Sequence, residues 1–202
     1  MLSLEIDDKS IKRTMRWLDA VGKKQLPFAT ALALTKTAKD VQKAELKHLH
    51  NRFTIRNKWP ERGPYAVKIT PATKKKLFAT IFTRADWMPI HETGGVKTPD
   101  GKHLAIPTSN IRRGKTGKIT KGQRPRNLKK SFVLETKGGQ LGIWQRKGKG
   151  KRSEIKPMYW LEPQAKIKEW WEWFRVGKTT VNKTFNRNFS ESLTKALRTA
   201  RR

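Results

Sequence analysis

Apolar positions recur at two different periods along this chain, and the switch between them separates helical from extended parts. Ile11, Met15 and Leu18 repeat at helical spacing to about Lys24 and predict a first helix; Leu4 and Ile6 before it read as a short strand. Pro27 suits the first position of a new helix, since its missing N–H is one that a helix start leaves unbonded anyway. The Ala-, Leu- and Lys-rich run from there to about His50 has high helix propensity, with Leu34, Ala38, Val41 and Leu49 as its apolar positions.

From Phe53 the period falls to two. Phe53 and Ile55, then Ala66, Val67 and Ile69, then Leu77, Ala79 and Ile81 alternate with polar or basic residues as half-buried strands do. Pro60, Pro64 and Pro71 divide these segments, and Gly94, Gly95, Pro99 and Gly101 mark a long turn before a strand at Leu104 to Ile106. Phe132 to Leu134 and Gly142 to Gln145 flank Lys137-Gly138-Gly139-Gln140, a hairpin in which glycine supplies the positive φ of the turn. Helical spacing returns at the end. Ile167, Trp170, Trp171 and Phe174 fall at i, i+3, i+4 and i+7, with Trp173 at the edge of their face, and Val181, Phe185, Phe189, Leu193 and Leu197 form an i, i+4 ladder. The aromatics of these helices, Trp170, Trp171, Trp173, Phe174, Phe185 and Phe189, suit a core or a subunit interface better than stacking on bases.

These elements predict an α+β fold in one domain over residues 1–202. It would hold N-terminal helices including one long one, a small mostly antiparallel sheet with long basic loops at 107–131 and 146–157, and C-terminal amphipathic helices. No fixed-period repeat is present.

Composition changes this picture mainly through charge. Of 202 residues 47 are basic and 16 acidic, a net charge of +31, and residues 101–157 carry 17 of the basic and 2 of the acidic ones. Half of the excess thus sits in just over a quarter of the chain, and a polyanionic partner is the inference. The hydrophobic fraction of 35% implies a thin core or one shared with other subunits, while eight Trp and eight Phe argue against disorder. The chain has no Cys, which removes disulfides, thiolate metal sites and a Cys nucleophile. No apolar run approaches the roughly 18 residues of a membrane span, and the acidic pair near the start is unlike a signal peptide. The expected setting is a reducing cytoplasm or an assembly built there, without a membrane.

Candidate catalytic chemistry is thin. Gly177-Lys178-Thr179 and Gly114-Lys115-Thr116 end like phosphate-binding loops, but Glu172 and Ser109 stand where the leading glycine is needed. His91-Glu92 begins like a zinc-protease helix, yet Gly95 occupies the second ligand position, so a strand-to-loop junction is expected. His48 and His50 are two apart on a helix and point away from each other. Asp86, Glu92 and Asp100 have no spacing that specifies a site. The expectation is a protein that is not an enzyme and uses neither cofactor nor metal.

The basic loops weigh more. Ile111 to Lys130 contains nine Lys or Arg, three Gly and no acidic residue: Arg112, Arg113, Lys115, Lys118, Lys121, Arg124, Arg126, Lys129 and Lys130. A second stretch brings Arg146, Lys147, Lys149, Lys151 and Arg152. Such loops can follow a phosphate backbone and release its counterions without reading bases, or dock on an acidic protein face; both partners stay open. No RNA-recognition or zinc-finger motif accompanies them.

The order of these elements resembles the phage tail-completion proteins of the minor tail protein Z family. The resemblance rests on Pro27-Phe28-Ala29-Thr30-Ala31-Leu32-Ala33-Leu34, the basic Gly-containing loop, Phe132 to Leu134 with the Gly139 turn, Ile143-Trp144-Gln145-Arg146 and Pro157-Met158. It continues through Phe185-Asn186-Arg187-Asn188-Phe189 and Leu193-Thr194-Lys195-Ala196-Leu197, and so spans most of the chain. Phe53-Thr54-Ile55-Arg56-Asn57-Lys58-Trp59 and the Trp-rich segment depart from that family's pattern. The resemblance implies a small α+β structural protein of the virion, assembled in the host cytoplasm into a homo-oligomeric ring with a hexamer favoured. Its place would be the neck or head-proximal tail, joining tail to head beside tail-terminator, tail-tube or connector proteins and the end of the genomic DNA. The alternative is a non-specific nucleic-acid-binding protein acting outside the virion.

Overall fold

The computed structural model describes residues 8–150 and 152–200; the expected strand at Leu4 and Ile6, and Lys151, lie outside the described residues. The fold is mixed α and β, as the periods predict. The chain divides into two compact units, where the sequence pattern predicts one domain. The first comprises residues 1–53, 59–85 and 172–202, and the second residues 54–58 and 86–171, so the chain leaves the first unit twice and returns to it.

The first unit is built on two long helices. Helix α1 (Asp8–Ala20) runs into a π-helical turn (Val21–Gln25) and then α2 (Leu26–Arg52), with proline in the first turn of α2 where the sequence places it. At 27 residues α2 is about 40 Å long. Ala38, Val41 and Leu49 are buried as expected. Helix α4 (Trp173–Ala200) lies antiparallel to α2: Arg52 meets Glu172 at one end and Lys36 meets Glu191 toward the other.

The face that α4 turns to α2 is made of small and polar side chains. Asn188, Ser192 and Ala196, each one turn from the next, are buried, and the Asn188 amide donates to Thr37 Oγ1 at 3.0 Å and to Asp40 Oδ2 at 2.8 Å. Val181, Phe185, Phe189, Leu193 and Leu197 flank that seam, half-buried or, at Val181, exposed. The hairpin of β1 (Lys68–Thr70) and β2 (Thr80–Phe82) completes the unit, tied to α2 by Gln42 Nε2 donating to the Val67 carbonyl and the Ala72 N–H donating to Thr35 Oγ1. Residues 53–55, read as a strand from their alternation, form none, because no segment among the described residues pairs with them.

The second unit centres on a four-stranded antiparallel sheet in the order β4 (Leu104–Pro107), β7 (Ile155–Glu162), β6 (Leu141–Arg146), β5 (Ser131–Glu135). Strand β5 and strand β6 form the hairpin expected around Gly139, whose φ is +78°. Gly142 is held to glycine by proximity: an added Cβ would stand 3.0 Å from the Tyr159 carbonyl and 3.1 Å from the Trp160 ring. A smaller sheet pairs β3 (Gly95–Lys97) with β8 (Ala165–Ile167).

This pairing overturns the helix predicted through Ile167, Trp170, Trp171 and Phe174. Ile167 belongs to β8, and the Trp170 and Trp171 N–H groups donate to the carbonyl of His91 instead of to a helix ladder. Glu172 then adopts a positive φ of 58°, which L side chains rarely take within a helix, so α4 starts only at Trp173. His91 and Glu92, expected at a strand-to-loop junction, lie on a short helix α3 (Pro89–Thr93) that Gly94 ends at φ 68°.

Candidate functional site

Ile111, Leu128, Met158 and Tyr159 form a buried cluster in the second unit, with Ile119 and Ile143 packed on it. Two of these four come from the basic stretch itself. Residues 108–130 therefore do not leave the sheet as a free excursion, because an apolar side chain at each end fastens the segment to β7. Tyr159 Oη donates to the Gln123 carbonyl at 2.7 Å, and Thr108 Oγ1 donates to the Pro157 carbonyl at 2.7 Å. Two 3₁₀ turns (Lys121–Gln123 and Pro125–Asn127) and a bridge between Arg113 and Ile119 give the segment its own structure. It is a strap, held by its apolar residues and presenting its basic ones.

The placement of each cation follows. Arg112, Arg113, Lys115, Lys118, Lys121, Arg124, Arg126, Lys129 and Lys130 are all exposed, and none forms an ion pair among the described residues. The second stretch is shorter than the loop expected over 146–157. Arg146 ends β6 and Ile155 starts β7, so only the hairpin connection projects, with Lys147, Lys149 and Arg152 exposed on it. Arg146 is half-buried; its guanidinium lies 5.7 Å from the centre of the Phe132 ring and donates to the Ser153 carbonyl at 3.3 Å.

Part of both stretches meets in one cleft. A cavity of about 390 Å³ is lined by Asn110, Arg112, Gln123, Gln145, Arg146, Lys147, Lys156 and Met158. Gln145 and Lys156 sit opposite each other across β6 and β7, which aims both side chains to the same face of the sheet. Four cations face the cleft against the Glu154 carboxylate, which reaches Lys156 at 3.4 Å and Lys147 at 4.0 Å from the hairpin side. The Lys147 ammonium is pulled below its ordinary value by Lys156 beside it and by Arg112, while Lys156 is raised by its contacts with Lys147 and Glu154. An anion between the two ammonium groups would relieve that repulsion.

No family model, curated protein or solved structure matches the chain.

The aromatic set divides. Trp171 is buried, at 5% exposure, and takes the core role of the two expected for the set, core or subunit interface. Trp170 and Phe174 are exposed, at 47% and 75%, whereas Trp173, Phe185 and Phe189 are half-buried, with the last two stacked at 6.0 Å. Both edges of the large sheet also carry exposed apolar residues, Ile106 on β4 and Val133 and Leu134 on β5.

The other motifs resolve into local structure. Gly177-Lys178-Thr179 is continuous α-helix within α4, and Gly114 to Gly117 form a turn in the strap closed by the Gly117 N–H on the Gly114 carbonyl. His48 lies 3.7 Å from Glu172 while His50 meets Glu61, so the two histidines do separate. Among the described residues no three His, Cys, Asp or Glu come together as a metal site, and no helix is long and apolar enough to cross a membrane.

Proposed function

We propose that this chain is a structural protein of a tailed-phage virion, a tail-completion or neck protein that forms a homo-oligomeric ring at the head-tail junction and helps join tail to head. The observation that carries the reading is the pair of open sheet edges, β4 and β5, each bearing exposed apolar side chains in a chain that also exposes Phe174 and Trp170. An unpaired edge is a template for another strand, and two different edges on one subunit add copies head to tail, the geometry that closes into rings. Six subunits is the order the family resemblance implies. Within such a ring the straps would form a positively charged surface toward genomic DNA or the acidic faces of tail-terminator, tail-tube or connector proteins.

The test is a nonsense mutation in this gene in its own phage, grown with and without a suppressor. The reading predicts full heads and finished tails that stay unjoined or fail to infect, restored on suppression. Normal infectious particles lacking the chain would overturn it.

A second reading, a non-specific nucleic-acid-binding protein acting outside the virion, draws support from the nine exposed strap cations, which form no ion pair among the described residues. It requires tight salt-dependent DNA binding by the monomer and predicts joined, infectious particles in its absence.

A further inference from the structure

We propose that the cleft between the strap and the β6–β7 hairpin is a phosphate site for a nucleic-acid backbone, with Arg112, Arg146, Lys147 and Lys156 as its cations and Asn110, Gln123 and Gln145 as neutral walls. The inference deepens the proposed function, which leaves the strap's partner open between DNA and acidic protein, and it rests on that reading only for its biological setting.

Three observations favour phosphate over carboxylate. First, the donors come from several walls of a concave site: the strap, the end of β6, the hairpin and β7. A phosphodiester offers anionic oxygens on a tetrahedral centre to donors approaching from several sides, whereas a surface carboxylate presents one planar pair. Second, among the described residues no carboxylate lines the cavity of about 390 Å³: Glu154 meets Lys147 and Lys156 without entering the lining. Third, Arg112 belongs both to the cleft and to the strap, whose exposed cations continue from Arg113 to Lys130. A linear polyanion seated in the cleft has further cations along its path, which an isolated acidic side chain would not use. None of the lining residues is aromatic, so the cleft holds the backbone and stacks no base. Binding there is indifferent to sequence.

The experiment uses the full chain and a fluorescent 20-base-pair duplex, with affinity read by anisotropy over a series of salt concentrations. Arg112→Gln with Lys147→Gln removes two exposed cleft cations. It should weaken binding equally on unrelated sequences and lower the slope of log affinity against log salt by about 1.8, at about 0.9 per phosphate contact. Arg112→Lys with Lys147→Arg should keep the wild-type slope, and Lys75→Gln with Lys76→Gln, in the turn between β1 and β2, should change it little. Unchanged thermal melting of each variant shows that the fold is retained. A duplex with an uncharged methylphosphonate backbone should not bind. The proposal is overturned if the cleft and control pairs weaken binding alike, or if the wild-type chain does not bind the duplex. It is also overturned if poly-glutamate of matched charge displaces DNA as well as unlabelled duplex does, which would assign the cleft to an acidic protein. None of these results depends on whether the chain belongs to a virion, so failure of the cleft and failure of the neck reading are separable.

Discussion

The helices of the first unit and the strap of the second handle positive charge differently. In the helical unit, acidic residues bridge segments: Glu172 meets Arg52 at 2.6 Å, Arg175 at 2.5 Å and His48 at 3.7 Å, Glu191 meets Lys36, and Asp40 meets Arg187. In the sheet unit, the strap from 108 to 130 contains no acidic residue, and its cations enter no ion pair among the described residues. The acidic residues of the first unit pin a few of its cations across segments, whereas the strap displays all nine of its own. The difference lies in what anchors each segment: a buried seam with ion pairs along it joins the helices, whereas the strap is held at Ile111 and Leu128 and keeps its basic residues outside.

The largest effect should come from the core of the helical unit. Leu49 is fully buried on α2, and Leu49→Ala should cost about 2–5 kcal/mol in denaturant unfolding, as truncation of a core leucine does. A cost below 1 kcal/mol would mean that Leu49 is not part of the packed core of its unit. Ile111→Ala with Leu128→Ala should also destabilise, and its distinguishing readout is local. Trypsin should cleave within 112–130 faster in the variant while α2 and α4 stay protected, and equal protection of the strap before and after would remove the idea that these two side chains fasten it.

Asn188→Ala comes next. It strips the buried amide that Thr37 and Asp40 accept, and a loss of about 1–3 kcal/mol is expected by thermal or chemical unfolding. The sheet unit has its own pH signature. Burial first, and the Lys97 ammonium second, hold His91 below its ordinary value of 6.5. The unfolded chain therefore binds this proton more tightly than the folded one, so His91's contribution is complete above pH 6.5 and is lost as pH falls below it. Measured from pH 7 to pH 5, His91→Gln should lose less stability than the wild type; identical slopes would contradict this. The smallest effect should be Lys36→Ala, which removes an exposed pair with Glu191 and should cost about 0–1 kcal/mol.

The parts of this fold legible in the sequence were those fixed locally. Pro27 and the Ala-rich run place α2, and Gly139 between two alternating segments places the β5–β6 hairpin. The failures share a cause, since they concern segments whose structure is set by distant partners. Ile167, Trp170 and Trp171 match a helix template, but pairing of β8 with β3 and the hydrogen bonds to His91 decide otherwise. Likewise Asn188, Ser192 and Ala196 form the buried seam beside a more apolar ladder, because only small side chains and a bridging amide fit so close to α2.

The strap's cations were readable from composition, but its anchors were not, since Ile111, Ile119 and Leu128, scattered among nine cations, carry no period. Lys156, Gln145, Gln123 and Asn110 were missed for a related reason. They join the cleft only through the register of β6 against β7 and the return of the strap over them. Gln145 and Lys156 could have been found by folding the hairpin about its Gly148 and Gly150 connection and pairing residues across it.

The claim that joins these regions is that the chain's apolar edges serve a ring while its strap serves a partner. Reconstruction of the intact particle at side-chain resolution tests this most directly. The account predicts a closed ring of this chain at the head-tail junction, with β4 and β5 edges buried between subunits and residues 112–130 against DNA or a neighbouring ring. A neck built without this chain, or subunits joined with both edges left in solvent, would contradict it.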